Sequence, residues 1–567
     1  MGIEFTEEQR QIFHFVQNES SHGIIDAVAG AGKTTTIIES AKYAGNEEQV
    51  LFCAFNKSIR NEIENKFRQR GMNRVTVSTI HALGRQILVD NNNSGRPVQL
   101  ENNKYWQILK SEEIQRELKS EYQNILTVNN LDPKNIEDPN DFAIKNLINR
   151  VNERLIDINQ KYRTTLAKED VSDFEQMVIH FNIFNEIEVN KRNFKEELSY
   201  YFKCHKILLL KGNQFSQDSM IIDYTDMIYL PYAWKLYPNS RYDFLFIDEC
   251  QDLSKAQLQT TVKYGKKGSR ILAVGDPHQS IYGFTGADIE SFDRVKTLTN
   301  ATELPLKSSF RCPKKVIEIA QTLRSDITGF KDEEGSVISI LRNQVVELAK
   351  PGDLIISRLR APLVILVFDF INKNIKIQIH EDEVNEIIQE LKGIFKHDEL
   401  NVIIETLPNE FEDLHDRVTK RWEWIIKKNA ERIIDSTERS VYIDNEKEFL
   451  RNKLDFLSQK YYQWNDECPS VLELLKKIRA FISSNDNPIK LSTIHRAKGL
   501  EEDRIFILNY NELPLNRLDQ KDWEKEQELN LKYVAVTRAR KELFLVESEN
   551  HDDPVDEGSL FDELPFD

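Results

Sequence analysis

The chain has 567 residues, more than one hydrophobic core usually supports, so several domains are expected. Its 40% hydrophobic and 30% charged residues are typical of a globular protein, and because no apolar run could cross a bilayer, no membrane partner is expected. Five scattered cysteines without a C-x-x-C pair argue against a zinc ribbon, an iron–sulfur cluster or a disulfide framework, and predict a reducing, cytoplasmic location. The formal net charge of −17 does not favour a nucleic-acid binder, although one groove can be locally basic.

In chain order, short β-rich runs alternate with helical stretches in two separate parts of the chain. The first set is GIIDAVAG, QVLFCAF, RVTVSTI, DFLFIDE and RILAVGD, and the second is GDLIISR, IKLSTI, RIFILNY and ELFLVES. This alternation predicts an α/β fold with parallel sheets flanked by helices. Two polar, charged regions, at about 92–215 and 381–485, have the apolar spacing of amphipathic helices and are predicted to form helical subdomains.

The run AVAGAGKTTT, which begins at Ala27, follows a strand pattern and precedes a helical one. Strand, glycine-containing loop, Gly-Lys-Thr and helix is the order that a phosphate-binding loop requires. Gly30 and Gly32 would let backbone N–H groups face a phosphate, Lys33 would reach the β- and γ-phosphates, and the Thr34 hydroxyl would ligate Mg²⁺. The usual first glycine is replaced by Ala27, and the alternative is a glycine-rich turn with a surface lysine.

The run FLFIDECQDLS places Asp248 and Glu249 at the end of an apolar strand pattern. Alone, these acids are explained as well by loop charges, or by a helix cap at Asp252 or Ser254. Combined with the phosphate-binding loop, Asp248 would hold Mg²⁺ and Glu249 would polarise the water that attacks the γ-phosphate. The two motifs together predict an ATPase with ATP and Mg²⁺ in its site.

From FTEEQ to YVAVTRARKELFL, the motifs resemble those of superfamily 1A DNA helicases of the UvrD/Rep/PcrA type. AGAGKT is similar to that family's phosphate loop, in which alanine often replaces the first glycine, and IIDYTDMI is similar to the segment before the acidic strand. AFNKSIR and VSTIHALG resemble its DNA-contact motifs, and GDPHQSIYGFTGAD, SSFRC, LSTIHRAKGLE and YVAVTRAR resemble motifs III to VI. One departure is Thr285, where the family usually has an arginine that contacts DNA.

The resemblance implies a set of residues that contact the nucleotide. Gln9 would read the adenine edge, Phe310 would stack on adenine, and Glu501 would contact the ribose. The other implied residues are the catalytic Lys33, Glu249, Gln279, Arg311 and Arg538, the phosphate-loop residues Ala29, Gly30, Ala31, Gly32, Thr34 and Thr35, and the metal ligands Thr34 and Asp248.

The resemblance also implies a set of DNA contacts. Aromatic residues would stack on bases, because every base has a π-face and the grip is then independent of sequence. For a single aromatic residue or histidine, burial in a core is the alternative. The implied DNA contacts are Phe55, Asn56, Thr79, His81, Tyr282, Phe284, Thr493 and His495.

The family architecture implies two RecA-like motor lobes, each with an inserted, mostly helical subdomain. In the second insert, the stretch 380–420 has 12 acidic and 4 basic residues, so we expect it to dock a protein rather than duplex DNA. The final stretch has eight acidic residues and no lysine or arginine, which predicts a disordered tail. The predicted limits are 1–91 and 211–300 for lobe 1A, 92–210 for insert 1B, 301–380 and 486–548 for lobe 2A, 381–485 for insert 2B, and 549–567 for the tail.

The leading hypothesis is an ATP-dependent DNA helicase or translocase that moves 3′ to 5′ on single-stranded or tailed duplex DNA, in repair, replication restart or anti-phage defence. The alternative is an ATP- and DNA-gated regulatory subunit that activates or recruits a nuclease with little unwinding of its own. An RNA helicase is a weaker third reading, because the motif III string resembles that of DNA enzymes. No fused nuclease is expected, so any cleavage would need another protein, and a protein partner is expected through insert 2B or the acidic tail. The tip LFDELPFD resembles that of single-stranded-DNA-binding proteins, but Asp567 follows the final Phe566, and an inert acidic tail is the alternative.

Overall fold

Two units, each built around one six-stranded parallel sheet, make up the fold of the computed structural model. Parallel sheets with intervening helices confirm the predicted α/β class. Unit 1 consists of Met1–Phe310, Asp326–Phe330 and Asn516–Asn530, and unit 2 of Arg311–Ser325, Lys331–Leu515 and the chain from Leu531 onward. The structure describes residues 4–45, 47–136, 141–184, 186–283, 290–395, 410–430, 436–464, 468, 470–482, 487–516 and 520–548.

The main sheet of unit 1 has the strand order β3-β2-β6-β7-β1-β8, and every pairing in it is parallel. Its central strands are nearly continuous apolar runs, as is usual for parallel strands that are buried on both faces. Two further pairs, β4-β5 and β9-β10, lie outside it. The strands are β1 (Gly23–Ala27), β2 (Val50–Ala54), β3 (Val75–Thr79), β4 (Gln99–Leu100), β5 (Ile221–Ile222), β6 (Tyr242–Ile247), β7 (Gly265–Gly275), β8 (Thr302–Leu306), β9 (Ser308–Ser309) and β10 (Thr328–Gly329).

Strand β8 is absent from the β-rich runs read in the sequence, because TELPL contains Pro305. At the edge of the sheet β8 pairs only with β1, where it places Pro305 opposite Asp26, and a proline is tolerated on an edge strand. The sheet of unit 1 therefore extends past residue 300, the predicted end of the first lobe. The domain limits themselves stay a prediction.

The helices of unit 1 fall into two groups. One group connects the strands, and the other, between Lys104 and Ser219, packs around a hydrophobic core of its own that includes Leu118, Leu155, Phe174 and Leu208. The connecting helices are Glu7–Asn18, Lys33–Ser40, Lys57–Gln69, Ile80–Asp90, Asp226–Ala233, Lys255–Val262 and Ser291–Thr299. The second group comprises Lys104–Lys110, Glu112–Val128, Phe142–Thr165, Val171–His180, Glu186–Val189 and Phe194–Ser219.

Unit 2 repeats the parallel arrangement with the strand order β11-β16-β15-β12-β14-β13. In contrast to unit 1, one continuous core joins this sheet to the helices between 381 and 481, and the rings of Phe368 and Phe456 stack within it at 4.1 Å. The strands are β11 (Ser336–Leu341), β12 (Leu354–Ser357), β13 (Ile377–Gln378), β14 (Ile489–Thr493), β15 (Glu502–Ile507) and β16 (Ala539–Glu547). The helices are Lys314–Gln321, Val345–Leu348, Ala361–Asn372, Glu381–Gly393, Glu410–Ala430, Ser436–Trp464 and Val471–Phe481, and a last helix, Asp522–Val536, contributes residues to both units.

Within the described residues, none of the helices combines the length and the apolar character needed to span a bilayer. The acidic tail 549–567 lies outside the described residues, and so does much of the acidic stretch 380–420.

A buried ionic cluster joins the helical group of unit 1 to the segment that leads into β6. Arg163 donates from Nη1 and Nη2 to both carboxylate oxygens of Asp223 at 2.8 Å, and from Nη1 to Asp226 at 2.8 Å. Lys104, which is fully buried, forms an ion pair with Asp226 and donates to Ser216 Oγ at 2.7 Å. Two cations and two anions balance, as burial of charge requires.

The first prediction concerns this cluster. Lys104→Met should lower the free energy of unfolding of unit 1 by about 3–5 kcal/mol, because it leaves the carboxylate of Asp226 buried without its closest cation. Lys211→Met is the matched control, because Lys211 pairs with Glu113 and Glu117 at the surface. Denaturant unfolding measures both, and equal stability of the two variants would contradict the prediction.

The second prediction concerns His205, which is buried against the rings of Tyr162 and Phe174. Among the described residues, neither of its ring nitrogens has a hydrogen-bond partner. Burial, with a smaller effect of the Arg163 charge, lowers the pKa of His205 to about 3. The folded state therefore holds this histidine neutral, and its contribution to stability, complete above pH 6.5, is lost as the pH falls from 6.5 toward 3.

His205→Phe should remove this pH dependence. Between pH 6.5 and 4.5, the unfolding free energy of the variant should fall less steeply than that of the wild type, by up to about 1.4 kcal/mol per pH unit. Denaturant titrations at several pH values measure the slope, with His14→Phe at an exposed helical position as the control. Parallel slopes for all three proteins would show that His205 does not titrate in this way.

Candidate nucleotide and DNA site

The loop between β1 and the helix Lys33–Ser40 has the backbone of a phosphate-binding loop. Gly30 and Gly32 have φ angles of 73° and 76°, in the left-handed region that glycine adopts without steric cost. Gly32 precedes the helix, and no described side chain caps that helix end. The first N–H groups of the helix and its partial positive charge are therefore suited to an anion such as phosphate.

Lys33 lies among carboxylates that end the neighbouring strands. Its ammonium is 3.3 Å from Oε1 and 3.4 Å from Oε2 of Glu249. Burial acts to lower the pKa of Lys33, but the charges of Glu249, Asp276 and Asp248 outweigh it, and the pKa is raised. The same burial, together with the charge of Glu249, raises the pKa of Asp248 to about 7. The site thus holds a charged lysine beside acids that are crowded enough to repel one another.

The backbone at the end of β6 is unusual. Glu249 has φ 52°, which is uncommon for a residue other than glycine and is typical of functional sites. Of the two helix caps considered from the sequence, the structure uses Ser254, whose hydroxyl accepts from the N–H of Gln257 at 3.3 Å. Asp252 is buried instead.

A chain of hydrogen bonds leads from Glu249 to Gln279. Gln251 Nε2 donates to Glu249 Oε2 at 2.5 Å, and Gln251 Oε1 accepts from the backbone N–H of Asp276 at 3.1 Å. Asp276 Oδ2 in turn accepts from Gln279 Nε2 at 2.6 Å. A Cβ at Gly275 would lie 2.6 Å from Gln251 Oε1, so this close approach requires glycine. Direct contacts through Gln251 and Asp276 therefore connect Glu249 to Gln279.

Gln9 and Phe310, the residues implied for adenine, both lie at the phosphate loop. A Cβ at Gly32 would lie 3.7 Å from Gln9 Nε2 and 3.8 Å from the ring of Phe310. Phe310 also donates its N–H to the carbonyl of Gly30 at 2.9 Å. Gln9 accepts from the N–H of Thr6 at 3.1 Å and donates to Thr36 Oγ1 at 2.9 Å. Both residues are thus positioned beside the loop, and their contact with adenine stays a prediction.

Three of the residues implied for DNA take part in stacked ring pairs. Phe55 and Tyr282 stack at 6.1 Å with an interplanar angle of 18°, and His81 stacks on Tyr224 at 3.9 Å and 21°. Burial lowers the pKa of His81 to about 4, so this ring is neutral near pH 7 and can offer stacking rather than charge. Phe284 lies outside the described residues.

Asn56 and Thr79 have a local role that the motif reading did not include. Each caps a helix: Asn56 Oδ1 accepts from the N–H of Ile59 at 2.9 Å, and Thr79 Oγ1 accepts from the N–H of Ala82 at 3.3 Å. These caps position the two helices that follow β2 and β3. Their contact with DNA stays a prediction.

Unit 2 brings Arg311, Arg538 and Glu501 together. Arg311 forms an ion pair with Glu501 and donates to the carbonyl of Thr537 at 3.1 Å. Arg538 is only 1% exposed and donates from Nε to the carbonyl of Val534 at 2.8 Å. Burial and the nearby charge of Arg311 lower the pKa of Arg538 to about 9. This pair of guanidinium groups is electrostatically suited to an anion.

Thr493 ends strand β14 of unit 2, and His495 follows it two residues later. Burial, with the charges of Arg358 and Lys498, lowers the pKa of His495 to about 3, so this ring is also neutral near pH 7. The contact of Thr493 and His495 with DNA stays a prediction.

The side chains available to a metal ion would hold Mg²⁺ only if phosphate oxygens supplied further ligands. In the described part of the chain, no group of three or more His, Cys, Asp or Glu side chains could hold an ion. A hydroxyl from Thr34 and a carboxylate from Asp248 are oxygen donors of the kind Mg²⁺ prefers, and Mg²⁺ is commonly held by one or two such groups together with substrate phosphates.

Sequence reasoning missed two members of the site. Asp276 was not assigned a role, although an acid directly after the apolar run ILAVG, next to a recognised motif, was a usable signal. Tyr224 lies within IIDYTDMI, and no local sequence pattern indicates that its ring stacks on His81.

The fold and the loop geometry define a nucleotide-binding protein with two RecA-like sheets, and comparisons with known proteins agree. Residues 5–300 match the UvrD/REP helicase N-terminal domain, and residues 488–546 match the UvrD-like helicase C-terminal domain. Since the first match alone covers more than half of the chain, this protein belongs to the UvrD/REP helicase family. The resemblance read from the motifs is confirmed.

Several curated proteins are similar to the chain at low identity. F-box DNA helicase protein 1 of Schizosaccharomyces pombe is 23% identical over 95% of this chain and 57% of its own length. A probable DNA helicase II homolog of Mycoplasma capricolum is 23% identical over 92% of this chain and 81% of its own. ATP-dependent DNA helicase PcrA of Bacillus subtilis is 22% identical over 59% of each chain. The chain thus spans little more than half the length of the first and third of these relatives.

Proposed function

We propose that this protein is an ATP-dependent DNA helicase that moves 3′ to 5′ on single-stranded DNA and unwinds tailed duplexes. One observation carries the proposal: within unit 1, hydrogen bonds connect Lys33 and Glu249, through Gln251 and Asp276, to Gln279. Gln279 is three residues from Tyr282, whose ring stacks with Phe55. A chain of hydrogen bonds thus links the residues proposed for the γ-phosphate to the loop that carries Tyr282, which is proposed to contact bases.

In the proposed reaction, Lys33 and the N–H groups of the loop hold the β- and γ-phosphates. Thr34 and Asp248 would hold Mg²⁺, which neutralises phosphate charge when bound. Glu249 orients the attacking water and accepts its proton. Gln279 senses the γ-phosphate. Loss of the γ-phosphate after hydrolysis therefore alters the hydrogen-bond chain that ends at the loop proposed to face DNA.

Arg311 and Arg538 are proposed to stabilise the charge that develops on the γ-phosphate. Their crowding supports this role, since the lowered pKa of Arg538 reflects burial and the like charge of Arg311. An anion placed beside them would relieve that repulsion. Glu501, already paired with Arg311, is proposed for the ribose.

The DNA role proposed for Phe55 and Tyr282 is sequence-independent stacking, because every base has a π-face. A DNA contact is also proposed for His81, Thr493 and His495. The paired rings of unit 1 support a stacking platform. The proposed lobes and inserts keep the limits given from the sequence, except that β8 (Thr302–Leu306) belongs to the sheet of unit 1.

A protein partner is proposed for the second insert or the acidic tail. The insert offers an aromatic anchor, since Trp424 on the helix Glu410–Ala430 is 63% exposed and lies 5.1 Å from the ammonium of Lys428. Exposed tryptophans are enriched in protein interfaces. The partner would be a nuclease or a factor of repair, replication restart or anti-phage defence.

The third prediction tests the base. Glu249→Gln should lower the ATP turnover rate by about 10²–10⁴-fold, because an amide cannot accept the proton of the attacking water. Binding of a fluorescent ATP analogue should stay within about threefold of the wild type, since Lys33 and the loop remain. The control is Glu303→Gln, which removes a surface ion pair with Lys296 of the same unit. Hydrolysis retained by Glu249→Gln would refute the assignment.

The fourth prediction separates motor from switch. On duplexes with a 3′ or a 5′ single-stranded tail, the protein with ATP and Mg²⁺ should displace the labelled strand from the 3′-tailed substrate only. Glu249→Gln should displace neither. ATP hydrolysis stimulated by single-stranded DNA without displacement from either substrate would favour the gated regulatory subunit. Equal stimulation by single-stranded RNA would contradict the preference for DNA.

A further inference from the structure

Three buried or half-buried side chains from 520–530 contact the loop 276–283, although more than 240 residues separate Gly283 from Gln527 in the chain. Trp523, Gln527 and Asn530 are spaced at i, i+4 and i+7 on the helix Asp522–Val536, so they share one face. All of these residues belong to unit 1. None of the motifs recognised in the sequence includes Trp523, Gln527 or Asn530.

Gln527 and Asn530 hold the backbone of the loop. Gln527 Oε1 accepts from the N–H of Gly283 at 3.1 Å, and Asn530 Nδ2 donates to the carbonyl of Ser280 at 3.0 Å. Both side chains are buried, as is Ser280. A buried hydrogen bond of this kind costs more to break than a surface one, because the abandoned backbone group has no water to replace its partner.

The side chains of Gln527 and Trp523 also pack closely against Gly283. A Cβ there would lie 2.7 Å from Gln527 Oε1 and 2.9 Å from the ring of Trp523. Real Cβ atoms do not approach that closely, so either the loop or the helix would have to move. The loop is therefore fixed against this helix face by shape as well as by hydrogen bonding.

The other side of the same loop is held by the residues of the nucleotide site. Gln251 accepts from the N–H of Asp276 with its side chain and from the hydroxyl of Ser280 with its backbone carbonyl at 3.3 Å. Gln279 and Tyr282 lie between this attachment and the contacts to Gln527 and Asn530. Both ends of the segment that carries them are thus fixed.

Trp523 extends the contact to the helical group of unit 1. Its indole N–H donates to the carbonyl of His180 at 3.0 Å, and the two rings stack at 5.2 Å. Beside it, Asn182 Nδ2 donates to Glu524 Oε1 at 2.8 Å. The helix face is a bridge with the loop on one side and the end of the helix Val171–His180 on the other.

We propose that Gln527 and Asn530 are positioning residues that keep Gln279 and Tyr282 in register, so that DNA contact at Tyr282 reaches the nucleotide site. Trp523 ties this register to the helical insert. The inference rests on the proposed function, because it concerns how bound DNA stimulates ATP hydrolysis. Basal hydrolysis is proposed to depend on Lys33, Asp248 and Glu249 and not on the three bridging residues.

Gln527→Leu tests the proposal, because it removes the acceptor of the Gly283 N–H and keeps a side chain of similar size. Basal ATP turnover and the KM for ATP should stay within about twofold of the wild type. Turnover stimulated by single-stranded DNA should fall by about fivefold or more, and half-maximal stimulation should need more DNA. Gln527→Glu, which keeps an acceptor oxygen, should retain most of the stimulation.

The matched control is Glu526→Leu, an exposed neighbour on the same helix. If Gln527→Leu does not fold, as judged by its melting temperature, Trp523→Phe replaces it, since it removes the indole N–H donated to His180 and part of the ring that packs against Gly283. That variant should lose about two- to threefold of the DNA stimulation.

Three outcomes would overturn the proposal. Equal loss of basal and DNA-stimulated turnover would show a merely structural contact, and unchanged stimulation in both Gln527→Leu and Trp523→Phe would show that the bridge transmits nothing. A wild-type protein whose hydrolysis does not respond to single-stranded DNA would refute the proposed function first, and the bridge with it. The wild-type measurement therefore distinguishes the two failures.

Discussion

The candidate site depends on one interaction, the ammonium of Lys33 among the carboxylates that end β6 and β7. The strand order places β7 between β6 and β1, so parallel pairing brings the acids and the phosphate loop to the same edge of the sheet. Burial and the charge of Glu249 raise the pKa of Asp248, and the charge of Lys33 opposes that shift. Under the proposed function, an incoming triphosphate would compete with Glu249 for Lys33, and that exchange would free the carboxylate for the attacking water.

The hydrogen bonds continue from the crowded acids to the loop 276–283. Glu249 is fixed by Lys33 and Gln251, and Gln251 also fixes Asp276, so a displacement of one acid is passed to the next. Buried hydrogen-bonded networks of this kind have few alternative arrangements, because each broken bond leaves a group without water. A change at the γ-phosphate therefore has a short and rigid route to Gln279.

Much of this could be predicted from the sequence, because the segments that follow parallel strands meet at one sheet edge, and Lys33 comes after β1 and Asp248 after β6. The motifs also identified the family. The strand TELPL was missed because Pro305 argues against a strand, and only its edge position makes it acceptable. The contact of Gln527 with Gly283 could not be predicted either, since no local pattern encodes a pairing of residues so distant in the chain. Motifs indicated the candidate reacting groups, whereas the contacts that hold those groups needed the fold.

The buried cluster of Lys104, Arg163, Asp223 and Asp226 serves the site indirectly. Replacing such a cluster by apolar residues of similar volume often costs nothing, so its presence is better explained by the geometry that it imposes than by stability. Arg163 donates to two carboxylates at once, which fixes both the distance and the orientation between its helix and the segment leading into β6. That strand ends at Asp248 and Glu249. The ion cluster thus aligns the first helical group with the strand that leads to the proposed catalytic acids, and Trp523 aligns the far end of the same group with the loop 276–283.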